Sequence, residues 1–226
     1  MRSESVETTF IVLLTHRIDR NKFCPDKNAS CPGLFSTSPN QTLVLMLDFK
    51  EDARKLLPYV NTTLDALREK NYLSFHDGKD FQSRPLTIVL TGNAPTSLTD
   101  AETQTHVLGL RDLFFDAPLS QLSANDTSNS SNSYYASTSL KASVGNVLGG
   151  SFSASQLSRV RSEIRTAKEK GLKARYWDTP SWPTSLRNYV WQTLVDEGMD
   201  VLNVDDLQDA AFADWKTSAG WRMLDC

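Results

Sequence analysis

The sequence predicts an α/β fold built on parallel strands, and three observations predict it. Short continuous apolar runs alternate with stretches of helical periodicity, joined by short connections. The apolar runs carry no polar alternation, which implies helices on both faces of a sheet or a closed barrel. Acidic or amide residues recur at or just past the carboxyl ends of these runs: Asp48, Asn93, Asp116, Asp178 and Asp205. In a doubly wound sheet such residues line one crevice, and in a barrel they ring one mouth. Capping of the following helix is the other use for Asp or Asn at such places.

The elements follow in order. Residues 1–41 have no clear periodicity. Phe10 to Leu14 is apolar and β-branched, His16 to Lys22 is charged, and Pro25, Pro32, Gly33 and Pro39 make 23–41 a loop. The first predicted strand is 42–48, read as buried. A helix over 51–70 follows, with Leu56, Val60, Leu64 and Leu67 as its apolar stripe and Pro58 as a kink. Strands are predicted at 86–91 and 112–116. Ser120 to Ser133 is a Ser/Asn-rich surface loop before a strand at 134–138. A helix over 154–170 presents Leu157, Val160 and Ile164, and Gly171 ends it. A strand at 172–177 precedes a helix opened by Pro183, with Leu186, Val190 and Leu194 on its buried side and Gly198 at its end. The last strand is 200–204, and a short tail carries Trp215 and Trp221. The division expected is an irregular segment 1–41 and one α/β domain over 42–226.

Composition narrows the function. Of 226 residues, 39% are hydrophobic and 23% charged, as in ordinary globular chains. A net charge of −3 and a pI near 5.6 argue against nucleic-acid binding, which needs a basic face. No apolar run reaches the ~20 residues of a membrane span. Cys24 and Cys31 have a spacing open to a disulfide, and the third cysteine is Cys226. Sequons at Asn28, Asn40, Asn61, Asn125 and Asn129 hint at the secretory pathway. No Arg-rich, acid-poor leader supports a mitochondrial address.

The most informative segment is Thr42-Leu-Val-Leu-Met-Leu-Asp-Phe-Lys50. Strand side chains alternate, so Asp48 and Lys50 point the same way at a carboxyl end. Two readings stand: an ion pair closing the strand, or a pair put to use in a site.

The ordered words Leu47-Asp-Phe-Lys50, Thr91-Gly-Asn93, Phe114-Phe-Asp-Ala-Pro-Leu119 and Asn132-Ser-Tyr-Tyr-Ala-Ser137 continue through Gly171 to Pro180, Trp182-Pro183, Leu186-Arg-Asn188 and Val201 to Leu207. Together, from about Gly33 to about Ala210, they resemble the fungal altered inheritance of mitochondria protein 6 family. That family is similar to the phospholipase C-like phosphodiesterases, which are TIM barrels. The resemblance implies a lipid-like phosphodiester substrate and an acid-x-Lys pair on the third barrel strand. Asp48 would ligate Mg²⁺ and Lys50 would be the catalytic group that neutralises phosphate oxygens. Asn93, Trp177, Asn203 and Asp205 would contact substrate.

The same resemblance implies two catalytic histidines and further acidic ligands, in His-Asn-Asp and Glu-x-Asp words on the first two strands. Neither word occurs before residue 42. His16, His76 and His106 lie in segments read as loops or helix flanks, where a lone histidine is expected to be solvated. The expectation is therefore an incomplete phospholipase C-like TIM barrel, with about six parallel strands of the usual eight and the first two missing. Mg²⁺ binding should be weak or lost, hydrolysis poor, and the open barrel edges available for self-association. A non-catalytic remnant acting as a binding or interaction domain is the second reading.

Overall fold

The seven-residue apolar runs Leu43–Phe49 and Leu86–Gly92 become strands here because each finds the other as a parallel neighbour across a helix. A computed structural model describes residues 6–20, 33–35, 38–51, 53–94, 110–123 and 125–215. The parallel strands are β1 (Leu43–Phe49), β4 (Leu86–Gly92), β5 (Leu113–Pro118), β6 (Ser133–Ser139), β7 (Lys173–Trp177) and β8 (Val201–Leu202). They are hydrogen-bonded in the order β1-β4-β5-β6-β7-β8, which is chain order once an antiparallel hairpin, β2 (Phe75–His76) and β3 (Phe81–Gln82), is set aside. The pairs β1/β4, β4/β5, β6/β7 and β7/β8 are parallel. The fold is thus α/β and consistent with an incomplete TIM-like barrel. The chain divides into two compact units, Met1–Phe115 and Asp116–Asp225, with the division falling inside β5.

The first unit packs helices α1 (Val6–Arg20) and α2 (Ala53–Glu69) on β1, β4 and β5. Within the stretch read as lacking periodicity, α1 is a helix. Ile11, Leu14 and Ile18 recur at helical spacing and enter the core, so burial overrides the β-branched preference of the segment. Asp19 at its end accepts from Lys70 Nζ at 2.7 Å and from the Tyr72 hydroxyl. In α2 the buried stripe is Leu57, Val60, Leu64 and Leu67, while Leu56 is 40% exposed. Leu56 sits one residue off the stripe that the 3.6-residue period aligns with Leu64 and Leu67. Strand β1 is not fully buried as expected: Leu43 to Leu47 are half-buried. Its one strand partner among the described residues is β4, so no described strand covers the other side of its ladder.

His76 is not solvated. It lies in β2, is 8% exposed, and its Nδ1 accepts from the Gly78 N–H at 3.1 Å. Its backbone also pairs with Arg111. His16 is exposed on α1, and His106 lies outside the described residues, as do Cys24, Cys31, Cys226 and Trp221.

The hairpin turn carries a pH marker. Exposed Asp77 accepts backbone N–H bonds from Asp80 and Lys79, each 2.9 Å, and a 2.9 Å bond from Gln82, and these hold its carboxyl at about 2. Because the folded value lies below the unfolded one, the unfolded chain binds more protons as acid is added. The turn's contribution is therefore present above the ordinary carboxylate value and is lost as pH falls toward 2. An NMR titration should give an Asp77 midpoint near 2. A midpoint at the ordinary carboxylate value would mean that the turn is not formed.

The second unit carries α3 (Leu140–Ser143), α4 (Ala154–Glu169), α5 (Thr184–Asp196) and α6 (Leu207–Phe212) around β6, β7 and β8. Ser153 and Gln156 form a capping box for α4. Gly171 ends that helix at φ 71°, its N–H bonding the Lys168 carbonyl while Leu172 reaches back to Ala167. Val160, Ile164, Ala167, Val190 and Leu194 fill the core against Ala174 and Tyr176. Pro183 stands just ahead of α5, one residue earlier than the first-turn position expected.

Candidate functional site

Asp48 and Lys50 close β1. Their side chains meet as a 2.5 Å ion pair, 47% and 80% exposed respectively, so the shared parity predicted for them is realised. The neighbouring strand shapes this corner. Asp48 is the register partner of Thr91, and Gly92 follows at φ 71°. A Cβ on Gly92 would collide with Asp48 Oδ1 and the Phe49 carbonyl oxygen, so glycine is what lets the carboxylate stand there. Asn93 donates its backbone N–H to the Phe49 carbonyl and its side-chain amide to the Lys50 carbonyl, both at 2.8 Å. Thr91-Gly-Asn93 is thus a clamp on the turn that presents Asp48 and Lys50.

The donor set does not fit a divalent cation. A hard cation takes about six to eight oxygens, usually from several carboxylates. Here one Asp48 oxygen is held by Lys50, and no group of three or more His, Cys, Asp or Glu that could hold a metal occurs among the described residues.

In the second unit, β7 and β8 hold the other residues singled out from the sequence. Trp177 ends β7 and is 46% exposed. Asn203 accepts from Arg175 Nη2 at 2.5 Å. Asp205 is exposed. Asp206 instead caps α6, accepting from the Asp209 N–H at 2.9 Å. Asp178 accepts from Ser139 Oγ at 2.9 Å.

Sequence reasoning missed Arg175. Its side chain is 17% exposed, and it pairs in register with Ser137. Nη1 lies 3.4 Å from Ser137 Oγ and 4.0 Å from Asp116 Oδ2. The signal was available: Arg175 stands two residues before Trp177 and so shares its side of the strand. Tyr135 lies beside this group, and burial, then the neighbouring Tyr134, pushes its hydroxyl well above the ordinary tyrosine value, so it remains a donor. A separate cavity of about 280 Å³, lined by Val195, Leu202, Leu207 and Trp215 among others, is apolar and has no titratable side chain in its wall.

A profile of the AIM6-like phosphodiesterase domain matches residues 5–116, beginning well ahead of Gly33 and taking in α1. The chain is similar to an altered inheritance of mitochondria protein 6 homolog from Arthroderma benhamiae, 39% identical over 182 residues, covering 79% of this chain and 55% of that protein. It is 37% identical to altered inheritance of mitochondria protein 6 from Eremothecium gossypii, covering 81% of this chain and 50% of that one. The Saccharomyces cerevisiae protein of the same name is 30% identical, covering 81% and 51%. The chain therefore spans about half the length of the curated relatives it matches. No solved structure matches.

Proposed function

We propose that this chain, which belongs to the altered inheritance of mitochondria protein 6 family, is a phosphodiesterase-like domain whose Asp48–Lys50 pair engages the phosphate of a lipid-type phosphodiester. The observation that carries the reading is the pair itself: an acid and a lysine two residues apart at the carboxyl end of a parallel strand, exposed, with a glycine making room for the carboxylate. Lys50 has the mobility and exposure to turn from Asp48 to a phosphate oxygen. Asn93 holds its turn. Trp177, Asn203 and Asp205 are proposed as substrate-contacting residues of the second unit.

Binding and hydrolysis separate in this chain. Asp48 and Lys50 stabilise charge, but proton transfer needs a group that can take one proton and another that can give one. His76 is committed to the hairpin turn, and His16 lies on α1. The chain is therefore proposed to bind phosphodiesters and to hydrolyse them poorly. Mg²⁺, with one carboxylate to meet it at Asp48, is proposed to bind weakly.

The test is calorimetric binding of bis-p-nitrophenyl phosphate. Lys50→Ala should weaken binding several-fold at low salt, and the difference should shrink as salt screens this exposed charge. Equal affinity of the two proteins at low salt would remove Lys50 from the site. A pure interaction domain, the second reading, would show no phosphodiester binding in either protein. No helix among the described residues is long and apolar enough to cross a membrane.

A further inference from the structure

We infer that the second unit contains an oxyanion pocket built on Arg175, with Tyr135, Ser137 and Asn203 as its neutral donors, and that its ligand is a phosphoryl group. The contrast among the arginines of this chain carries the argument. Arg68 is saturated: Nε and Nη2 fork onto Asp112, while Nη1 and Nη2 also bond Asp65 and Asn61. Arg187 bonds Asn188, Asp206 and Asp209 and stacks over Trp191. Both have the bonding of structural arginines.

Arg175 does not. A guanidinium carries five N–H donors. Among the described residues, Arg175 uses one on Asn203 Oδ1 and one, at 3.4 Å, on Ser137 Oγ. Asp116 stands at 4.0 Å, the outer limit of an ion pair. The remaining donors have no partner among the described residues, although the side chain is only 17% exposed. These donors are not closed off from solvent, so a ligand can reach them.

Its surroundings agree. Tyr135 is 6% exposed, and its hydroxyl has no hydrogen-bond partner among the described residues. It lies two residues before Ser137 on β6, on the same side of the strand, and Ser137 is the register partner of Arg175. Asn203 accepts through Oδ1, which leaves its N–H₂ group to donate. The donors thus come from β6, from β7 and from the residue just past β8. A planar fork flanked by hydroxyls is a fit for a tetrahedral oxyanion. Asp116 opposes an anion at this range, so affinity for a lone phosphoryl group should be modest, on the order of millimolar. Naming the oxyanion as phosphate rests on the proposed function; the unmet donors do not.

The experiment titrates the whole chain with inorganic phosphate and, separately, with dimethyl phosphate, followed by NMR and calorimetry. Arg175→Lys keeps the charge facing Asp116, so the fold should survive, but it loses the fork; affinity should fall about tenfold or more, the worth of a charged hydrogen bond. Tyr135→Phe keeps the ring and should weaken binding several-fold. Saturation by either probe with these losses supports the pocket, and the tighter probe identifies its source as free phosphate or a diester. No saturation by either probe, or an Arg175→Lys protein that binds as the wild type does, overturns it. Failure of the proposed function would read out separately, as an unchanged bis-p-nitrophenyl phosphate affinity in Lys50→Ala.

Discussion

Arg68→Ala should destabilise the first unit by about 3–5 kcal/mol, the cost of leaving a buried charge without its partner. Asp112 is 3% exposed and takes a two-pronged bond from Arg68 at 2.7 and 3.1 Å. Arg68 also bonds the Asn61 carbonyl, so its loss frees a turn of α2 from the residue that leads into β5. Burial pushes the Asp112 carboxyl up, and Arg68 draws it down. With Arg68 gone its downward pulls are lost and burial, the largest influence, still pushes upward, so the folded variant holds the Asp112 proton more tightly than the unfolded chain. Its stability is then fully present below the unfolded carboxylate value and lost as pH rises. The deficit against wild type, measured by urea unfolding, should be larger at pH 7 than near pH 4. A loss below about 1 kcal/mol at pH 7, where exposed pairs fall, would show that the pair is not buried in solution.

Glu163→Leu should cost the second unit about 2–4 kcal/mol through stranded donors rather than lost volume. Glu163 is 8% exposed and accepts from the Tyr176 hydroxyl at 2.6 Å, Ser143 Oγ at 2.6 Å and Arg159 Nε at 2.7 Å. Tyr176 is 1% exposed, and burial, then this hydrogen bond, raises its hydroxyl far above the ordinary tyrosine value. Removing the acceptor leaves that hydroxyl with no water to turn to. Tyr176→Phe removes the donor as well, so the double variant should be less damaged than the sum of the two singles by about 1 kcal/mol or more. Strict additivity in equilibrium unfolding would mean that the two groups do not interact.

Strand β4 was legible because a parallel strand covered on both faces requires an uninterrupted apolar run. Leu86 to Leu90 is buried throughout, as such a run predicts. Helix α1 was not legible, because its signal is three residues, Ile11, Leu14 and Ile18, set among charges and β-branched neighbours. Those residues become a face only when α2 and the sheet are there to receive them. Leu56 and Leu57 could not be separated by eye, since adjacent leucines satisfy nearly the same periodicity, and packing chose the one in phase with Leu64. The Asp48–Lys50 pairing followed from strand parity alone. The role of Gly92 did not, because a glycine at the end of a strand gives no hint of the carboxylate it must clear on the next strand. His76 was misread for a similar reason: a two-residue strand is too short to show a period, yet its pairing with Arg111 buries the imidazole. Arg175 was passed over because an arginine inside a strand is most often a surface residue; only its set of partners distinguishes it from Arg68 and Arg187.

As proposed, Asp48 and Lys50 meet a phosphate, and the described residues place no proton-transfer group beside them. The most direct measurement is release of p-nitrophenolate from bis-p-nitrophenyl phosphate in the presence of Mg²⁺, with wild type, Asp48→Asn and Lys50→Ala in parallel. Release at or barely above the buffer rate is expected for all three proteins. Robust turnover by wild type that disappears in Asp48→Asn would contradict the proposal, because the pair would then be catalysing the reaction with proton donors and acceptors not found among the described residues.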